Sequence, residues 1–329
     1  MSAVRTRTAR RFIRRLAVMA ALPLFAAAHA QPAANPPAPA SAAPVATAPV
    51  AARPEFRVQQ VRPGLTVLLS TAGNVAVWSG PEGVVLVDDG LAANTPQLLE
   101  AIARISRAPI RFVINTHWHP DHTGGNEALA GVGATVIAHE SVRERLSQPQ
   151  AVEEYDARVP AAPAAALPVI TFADSLAIDL DGDRLNVVHV AGAHTDGDVI
   201  VRWQDANVVH LGDLFYNGGY PFIDLANGGS LAGFVAALEG TLASSDSQTI
   251  VIPGHGPVAT RADLAAYRDM LVAVGRKVRE AVEAGRSIDE VLASRPTADF
   301  DDRYAKGAVN PERFVRALYR DLSTPRSAR

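Results

Sequence analysis

The chain has 329 residues, 48% of them hydrophobic, so it is long enough to bury a substantial core. It contains no cysteine, which excludes disulfide bonds, thiolate metal ligands and a cysteine nucleophile. The formal net charge of −3 becomes about −9 (25 basic against 34 acidic side chains) when six arginines near the N-terminus are left out. This acidic balance opposes nonspecific nucleic-acid binding, which depends on basic patches.

Residues 1–30 are predicted to be a secretory signal peptide. The six arginines precede an apolar stretch from Leu16 to Ala28, and Ala28-His29-Ala30 provides a small-x-small site for cleavage after Ala30. The apolar stretch is too short to span a bilayer comfortably, so we expect no stable membrane span in the mature protein and a periplasmic or secreted location. Arg10 and Arg11 leave both the general and the twin-arginine export routes open.

Three further regions are predicted from the composition. Residues 31–55 are almost entirely Ala, Pro, Ser, Val and Thr and are expected to form an extended linker, because such a segment cannot bury a core. The apolar segments that follow predict a folded domain over residues 56–260. A mainly helical extension that packs on this domain is expected over residues 261–329. Nothing in the sequence indicates the oligomeric state.

Short apolar segments separated by Gly and Pro predict alternating strands and helices in the folded region. Residues 156–168 are rich in Ala and Pro and are expected to form a surface loop near the metal-ligand segment described next. The predicted strands are 64–70, 74–78, 83–87, 110–114, 134–138, 175–178, 184–189, 199–203, 208–211 and 249–252. The predicted helices are 95–105, 127–130, 141–146, 231–242 and most of 261–322.

The segment His117-Trp118-His119-Pro120-Asp121-His122 contains four potential metal ligands. It follows the predicted strand 110–114, and open α/β sheets place their sites at such carboxyl ends. Successive extended residues alternate sides, so His117 and His119 can bind one metal together. Asp121 and His122 follow the bend that Pro120 favours and can face a second metal. Three imidazoles and a carboxylate in six residues therefore indicate a metal site.

Four more predicted strands each end in an ionisable side chain. Asp88 ends one strand, His194 lies in a glycine-rich loop, Asp213 follows Leu211-Gly212, and His255 lies in Pro253-Gly-His-Gly256. A site that is shared by several loops requires such a convergence.

The ordered set His117-x-His119-x-Asp121-His122, His194, Asp213 and His255 resembles the metallo-β-lactamase superfamily of metal-dependent hydrolases, over about residues 58–260. The resemblance implies an α/β fold, an αββα sandwich with the metals in a groove at one edge, here with extra C-terminal helices. It implies that His117, His119 and His194 bind the first metal, that Asp121, His122 and His255 bind the second, and that Asp213 bridges the two. Asp88 matches the acidic residue that orients the site through hydrogen bonds.

The expected function is hydrolysis of a small-molecule ester, lactone, thioester or amide by two divalent metal ions. Zinc is the default for imidazole and carboxylate ligands, and iron or manganese also fits. A metal-bridging hydroxide would attack the carbonyl carbon, while Asp121 would ligate the metal, orient the hydroxide and shuttle its proton.

Two other activities stay open. The first is a periplasmic β-lactamase, an activity that the predicted export favours. Asp213 argues against it, because the well-known zinc β-lactamases have cysteine or serine at this position. An aspartate here resembles instead hydroxyacylglutathione hydrolase and the lactonases. The second is an iron-dependent oxidoreductase similar to the persulfide dioxygenases.

Several other polar and aromatic residues are assigned roles from their positions. Trp118, Asn217 and Tyr220 are candidates for contact with substrate, although packing for Trp118 and a simple turn for the other two are equally open. Asp196 and Asp198 are expected to form a turn. His139 and His189 are expected to be satisfied core histidines, and His210 to lie in the core or behind the ligands.

Overall fold

The computed structural model describes residues 56–152, 157–180 and 182–324. The predicted signal peptide and linker, residues 1–55, lie outside the described residues. None of the helices within the described ranges combines the length and the apolar character that crossing a membrane requires.

The first sheet has seven strands in the order β1-β2-β3-β4-β5-β6-β9. Strands β1 to β4 are antiparallel, whereas β4, β5, β6 and β9 run parallel to their neighbours. The strands are β1 (Arg57–Arg62), β2 (Leu65–Leu69), β3 (Val75–Gly80), β4 (Gly83–Val87), β5 (Ile110–Ile114), β6 (Thr135–His139) and β9 (Ile170–Phe172).

The second sheet has six strands in the order β10 to β15, and only β13 and β14 pair in parallel. The strands are β10 (Ser175–Leu180), β11 (Asp183–His189), β12 (Val199–Trp203), β13 (Val208–His210), β14 (Ile250–Ile252) and β15 (Ala259–Thr260). A separate antiparallel pair, β7 (Gln150–Val152) and β8 (Ala157–Val159), lies outside both sheets.

The helices begin at residues suited to that position. Pro96 lies in the first turn of α1, Thr260 and Asp263 form a capping box at the start of α6, and Asn310 caps α9. The helices are α1 (Thr95–Ile105), α2 (Pro120–Thr123), α3 (Asn126–Gly131), α4 (Glu140–Leu146), α5 (Leu231–Ala243), α6 (Arg261–Glu283), α7 (Ile288–Ala293), α8 (Asp301–Tyr304) and α9 (Pro311–Ser323).

The packing defines four layers. Along β4, Val85 and Val87 face the second sheet, whereas Val84 and Leu86 face the opposite way and pack with Leu98 of α1. The outer face of the second sheet packs against a cluster that includes Phe234 of α5, Met270 of α6 and Phe314 of α9. This helix–sheet–sheet–helix arrangement confirms the predicted αββα sandwich with additional C-terminal helices.

Most predicted strands and helices appear within a few residues of the expected bounds, but five of the described strands (β1, β7, β8, β9 and β15) were not predicted. The sequence of β1, Arg-Val-Gln-Gln-Val-Arg, has no apolar run because this strand lies at the edge of its sheet. β9 and β15 have three and two residues, too few for a periodic signal. Part of the expected surface loop at 156–168 forms β8, which pairs with β7 beside the pocket described below.

Candidate metal centre

The segment that carries the first ligands leaves β5 and turns sharply into α2. His119 is extended (φ −62°, ψ 148°), as a residue before proline should be, and Pro120 occupies the first turn of α2. Asn115 holds the base of the turn, since its side-chain amide donates to the carbonyl oxygen of His122 over 3.1 Å. The extended backbone keeps the rings of His117 and His119 on the same side, with centroids 4.8 Å apart.

One buried cluster contains His117, His119, His194 and Asp213, with one potential ligand atom of each within 4.8 Å of the others. His194 Nε2 lies 2.9 Å from His119 Nδ1. Asp213 Oδ2 lies 3.8 Å from His117 Nε2 and 3.7 Å from His194 Nε2. These four side chains are the set that the resemblance implied for the first metal, with Asp213 as the bridge.

A second cluster contains Asp121, His122, Asp213 and His255, again with ligand atoms within 4.8 Å of one another. Asp213 Oδ1 lies 3.1 Å from His122 Nε2 and 3.4 Å from His255 Nε2. His255 Nε2 is also 3.2 Å from Asp121 Oδ2. Asp213 thus belongs to both clusters and turns a different oxygen toward each, which is the geometry a bridging carboxylate needs.

Gly254 allows the loop of His255 to approach Asp213. A Cβ atom at this position would lie only 2.0 Å from Asp213 Oδ1. A side chain at residue 254 would therefore displace either the carboxylate or the loop, so the glycine before His255 is a requirement of the site.

Three polar atoms at the centre fit a bound cation. His117 Nε2, His122 Nε2 and Asp213 Oδ1 are buried, and although the last two atoms lie 3.1 Å apart, none of the three makes a well-aligned hydrogen bond. Buried polar atoms nearly always have a partner, so three such atoms facing one centre indicate that a cation completes their bonding. Imidazole nitrogen and carboxylate oxygen suit zinc, iron and manganese.

Hydrogen bonds behind the ligands orient the imidazoles. His122 Nδ1 lies 2.8 Å from Asp88 Oδ2, and the same carboxylate accepts from the backbone N–H of Thr116 over 2.7 Å. His194 Nδ1 lies 2.8 Å from the carbonyl oxygen of Phe222. Such contacts fix the tautomer of a metal-binding histidine. Asp88 therefore lies where the sequence predicted a supporting carboxylate.

Asp224 is a supporting residue that the sequence did not reveal. Its Oδ2 lies 3.0 Å from His119 Nε2 and accepts from the side-chain amide of Asn227 over 2.7 Å. Asp224 is fully buried. In the sequence it precedes an Asn-Gly-Gly turn, a signal for local chain reversal that carries no information about a histidine 105 residues away.

Asp198 forms the turn that holds His194, in agreement with the role predicted for it. Its carboxylate accepts from the backbone N–H groups of His194 and Thr195, over 2.7 and 2.9 Å. Burial raises the pKa of Asp198 to about 8. Asp196 instead forms an ion pair with Arg145 over 2.5 Å.

The electrostatics favour neutral imidazoles beside ionised carboxylates in the first cluster. Burial, with the nearby charges of the other histidines, lowers the pKa of His117 well below its usual value and that of His194 to about 4. Burial alone would raise the pKa of Asp213, but the positive charges of His122 and His255 hold it well below its usual value. A neutral imidazole is the form that binds a metal ion.

The two clusters lie at the base of a pocket of about 220 Å³. Tyr216 lies in its wall, donates its hydroxyl to Asp213 Oδ2 over 2.5 Å, and stacks on His255 with ring centroids 5.3 Å apart. Tyr216 was not among the residues predicted from the sequence, although Asn217 and Tyr220 beside it were. The lining residues are His119, Pro120, Asp121, Val152, Asp213, Tyr216, Tyr220, Phe222, His255, Ala308 and Val309.

The structure places the three residues predicted to contact substrate in different surroundings. Trp118 is 1% exposed and packs in the core, because strand alternation turns it away from His117 and His119. Asn217 does not line the pocket, and its side-chain amide donates to the carbonyl oxygen of Pro257. The ring of Tyr220 lines the pocket, but its hydroxyl donates to Asp301 over 2.8 Å and so cannot polarise a substrate from this position.

Three other histidines within the described ranges lie outside both clusters. His139 and His189 stack on each other with centroids 3.6 Å apart, and the Nε2 atom of each lies within 3.0 Å of a backbone carbonyl oxygen. His210 is fully buried, and its Nδ1 accepts from the backbone N–H of Gly212. His139 and His210 are buried, in agreement with the core roles predicted for them, whereas His189 is only partly buried.

The chain is similar to several known proteins. A hydroxyacylglutathione hydrolase of Anaeromyxobacter dehalogenans is 27% identical over 247 residues, which cover 75% of this chain and 80% of that protein. A type 2 metallo-beta-lactamase of Bacteroides fragilis is 24% identical over 50% of this chain and 60% of that protein. A solved structure of a metallo-beta-lactamase from Pontibacter korlensis has a similar fold, with a TM-score of 0.54, 22% identity, and coverage of 66% of this chain and 99% of that one. Residues 71–271 match the profile of the metallo-beta-lactamase superfamily, and the chain therefore belongs to this superfamily.

Proposed function

We propose that the protein is an exported hydrolase that uses two divalent metal ions, zinc by default, to cleave an ester, lactone, thioester or amide of a small molecule. The observation that carries this proposal is the position of Asp213, which turns one oxygen toward each of two ligand clusters. The similarity to a hydroxyacylglutathione hydrolase, whose name describes hydrolysis, also supports it.

When bound in such sites, divalent metal ions lower the pKa of water and polarise a carbonyl oxygen. The residues of the chain supply the remaining parts of the mechanism. Asp121 faces the pocket with 30% of its side chain exposed, and its carboxylate is 3.2 Å from His255 Nε2. The neighbouring His122 and His255 hold the pKa of Asp121 well below its usual value despite burial, so this carboxylate is ionised at neutral pH.

Asp121 is therefore able to orient the attacking water, accept its proton and pass that proton to the leaving group. Asp88 and Asp224 hold the rings of His122 and His119 in place during the reaction. An Asp121→Asn variant that retained full turnover would contradict this assignment.

The first experiment is elemental analysis of the purified protein, followed by stepwise reloading of the apoprotein with metal. Two zinc ions per chain, with hydrolysis of an aryl ester rising as metal is added, would support the proposal. A single tightly held iron, with oxygen uptake on a persulfide, would favour the oxidoreductase alternative. A folded protein that binds no metal would contradict both.

A β-lactamase is the second candidate, because the chain is similar to the Bacteroides fragilis enzyme and carries a predicted export signal. Comparison of nitrocefin, an aryl ester and a homoserine lactone as substrates separates the two. Turnover of nitrocefin above the other two would favour the β-lactamase.

Export is tested independently of activity. The full-length chain is expressed in a Gram-negative host and its periplasmic and cytoplasmic fractions are compared. We expect the mature protein in the periplasm with Gln31 at its N-terminus. A protein that keeps its first 30 residues in the cytoplasm would contradict this part of the proposal.

A further inference from the structure

The wall of the pocket above the two clusters is apolar. Apart from the metal-binding residues, its lining consists of Pro120, Ala308, two tyrosines and three buried apolar side chains, which are Val152, Phe222 and Val309. These three side chains also belong to the hydrophobic core that contains α5, α6 and α9. The wall is thus an extension of the packed core, and its shape is fixed by packing.

Neither tyrosine hydroxyl in this wall is free to pair with a charge on a substrate. The hydroxyl of Tyr216 donates to Asp213, and that of Tyr220 donates to Asp301. Both acceptors are carboxylates, which require a donor when they are partly or fully buried.

No lysine or arginine lines the pocket among the residues that the structure describes. Residues 153–156, which fall outside that description, are Glu-Glu-Tyr-Asp in the sequence and include no basic residue. Lys306 precedes the lining residue Ala308 by two positions, but it is exposed and is not part of the lining. A carboxylate placed against this wall would lose its hydration without gaining a partner.

The burial of the two clusters indicates which part of a substrate meets the wall. Phe222 packs beside the first, deeply buried cluster, with its ring centroid 5.5 Å from that of His119 and 5.6 Å from that of His194. The second cluster is more open, since 24% of the His255 side chain is exposed. A leaving group departs most easily on the open side, so the acyl side of the substrate faces Phe222.

We infer that the acyl substituent of the substrate is uncharged and apolar. This inference rests on the proposed hydrolytic function and specifies its substrate class. It separates this chain from hydrolases that recognise an anionic acyl group through lysine or arginine.

The test compares 4-nitrophenyl pentanoate with the 4-nitrophenyl monoester of glutaric acid on the zinc-loaded full chain. The two acyl groups have the same number of carbon atoms, and only the second carries a carboxylate. We expect kcat/KM, after division by the alkaline hydrolysis rate constant of each ester, to be at least tenfold higher for the pentanoate. Equal or higher kcat/KM for the glutarate ester would overturn the inference and leave the hydrolase proposal standing.

A charge introduced at the pocket provides the matched variant. Ala308 is exposed and lines the pocket, so Ala308→Lys adds a cation without disturbing the core. We expect this variant to reduce the preference for the pentanoate, measured as the ratio of the two normalised kcat/KM values, about threefold. A change of this magnitude corresponds to the free energy of a solvent-exposed ion pair. The control, Ala293→Lys, adds the same charge at an exposed position outside the lining and should leave the preference unchanged. An equal change in both variants would contradict the placement of Ala308 at the acyl group.

A binding measurement separates failure of the inference from failure of the proposed function. N-methylpentanamide and the mono-N-methylamide of glutaric acid are titrated calorimetrically into the same protein. Tighter binding of the neutral amide, with neither ester hydrolysed, would support the inference and reject ester hydrolysis. Equal binding of the two amides, or tighter binding of the charged one, would overturn the inference whatever the activity.

Discussion

Asp224 and Asp88 have the same relation to the metal centre, because each contacts the ring nitrogen of a ligand histidine that faces away from the cluster. His119 turns Nδ1 toward His194 and leaves Nε2 for Asp224 at 3.0 Å. Without this carboxylate, His119 could adopt the tautomer that places a proton on Nδ1 and could no longer bind a metal through it. Asp224 is therefore as much a part of the site as Asp88, although only Asp88 was identified from the sequence.

We predict that Asp224→Ala weakens metal binding by about 10- to 100-fold, the usual effect of removing such a partner. Dissociation constants measured in competition with a chromophoric chelator check this value. Asn227→Ala is the control, because it removes the amide that donates to Asp224 and leaves the contact with His119 in place. Equal losses in the two variants would show that the loop, rather than the carboxylate, supports the site.

Tyr216 is the pocket residue whose hydroxyl reaches the bridging carboxylate. Its Phe variant would keep the stack on His255 and remove the donor to Asp213 Oδ2. We expect kcat on 4-nitrophenyl pentanoate to fall about tenfold, equivalent to about 1.4 kcal/mol, with the melting temperature nearly unchanged. Tyr319→Phe, which removes an exposed hydroxyl that donates to the Arg286 carbonyl oxygen, should leave kcat unaltered. Unchanged turnover in Tyr216→Phe would exclude a role for this hydrogen bond.

Among the elements, α9 stabilises one wall of the pocket from behind. Phe314 of α9 is fully buried and stacks on Tyr220 with ring centroids 4.9 Å apart. We predict that Phe314→Ala lowers the free energy of unfolding by about 3–5 kcal/mol, as expected for loss of a buried aromatic side chain. Urea denaturation measures this change, and Phe314→Leu should lose distinctly less. A loss below about 1 kcal/mol would mean that α9 is not an integral part of the core.

The elements also show what sequence patterns can predict. The apolar run that forms β4 predicts a strand buried on both faces, and the last two residues of β5, Val113 and Ile114, are buried in the same way; residues of the site follow the end of each strand. The short pair β7 and β8 gives no such signal, yet it brings Val152 to the pocket. Asn217 and Tyr220 have polar groups suited to a substrate, but tertiary contacts with Pro257 and Asp301 occupy them. Which partner a polar side chain meets depends on long-range packing, so the ligands could be predicted and the pocket wall could not.

On the scale of the whole molecule, the site joins the two sheets. His117, Asp121 and His122 follow β5 of the first sheet, whereas Asp213 and His255 follow β13 and β14 of the second. Metal ions bound between them would therefore link the sheets at one edge. The stacked pair of His139 and His189 makes a second link, because His139 ends β6 of the first sheet and His189 ends β11 of the second.

This second link predicts a pH dependence of stability. Burial and the neighbouring His189 lower the pKa of His139, while the hydrogen bond to the Ala173 carbonyl oxygen and the charges of Glu140 and Asp196 oppose the shift only in part. The folded state therefore binds a proton at this site less readily than the unfolded chain. The stabilising contribution is present above the unfolded pKa of about 6.5 and is lost as the pH falls through the lower folded value.

We expect the free energy of unfolding of the wild type to fall more steeply between pH 7 and pH 5 than that of His139→Gln, which cannot be protonated. Urea denaturation at several pH values, on metal-free protein of both kinds, measures the difference and removes the effect of metal release. His189→Gln should also flatten the profile, because it removes the positive charge that opposes protonation of His139. Parallel profiles for the wild type and His139→Gln would show that protonation of the stacked pair does not change the free energy of unfolding.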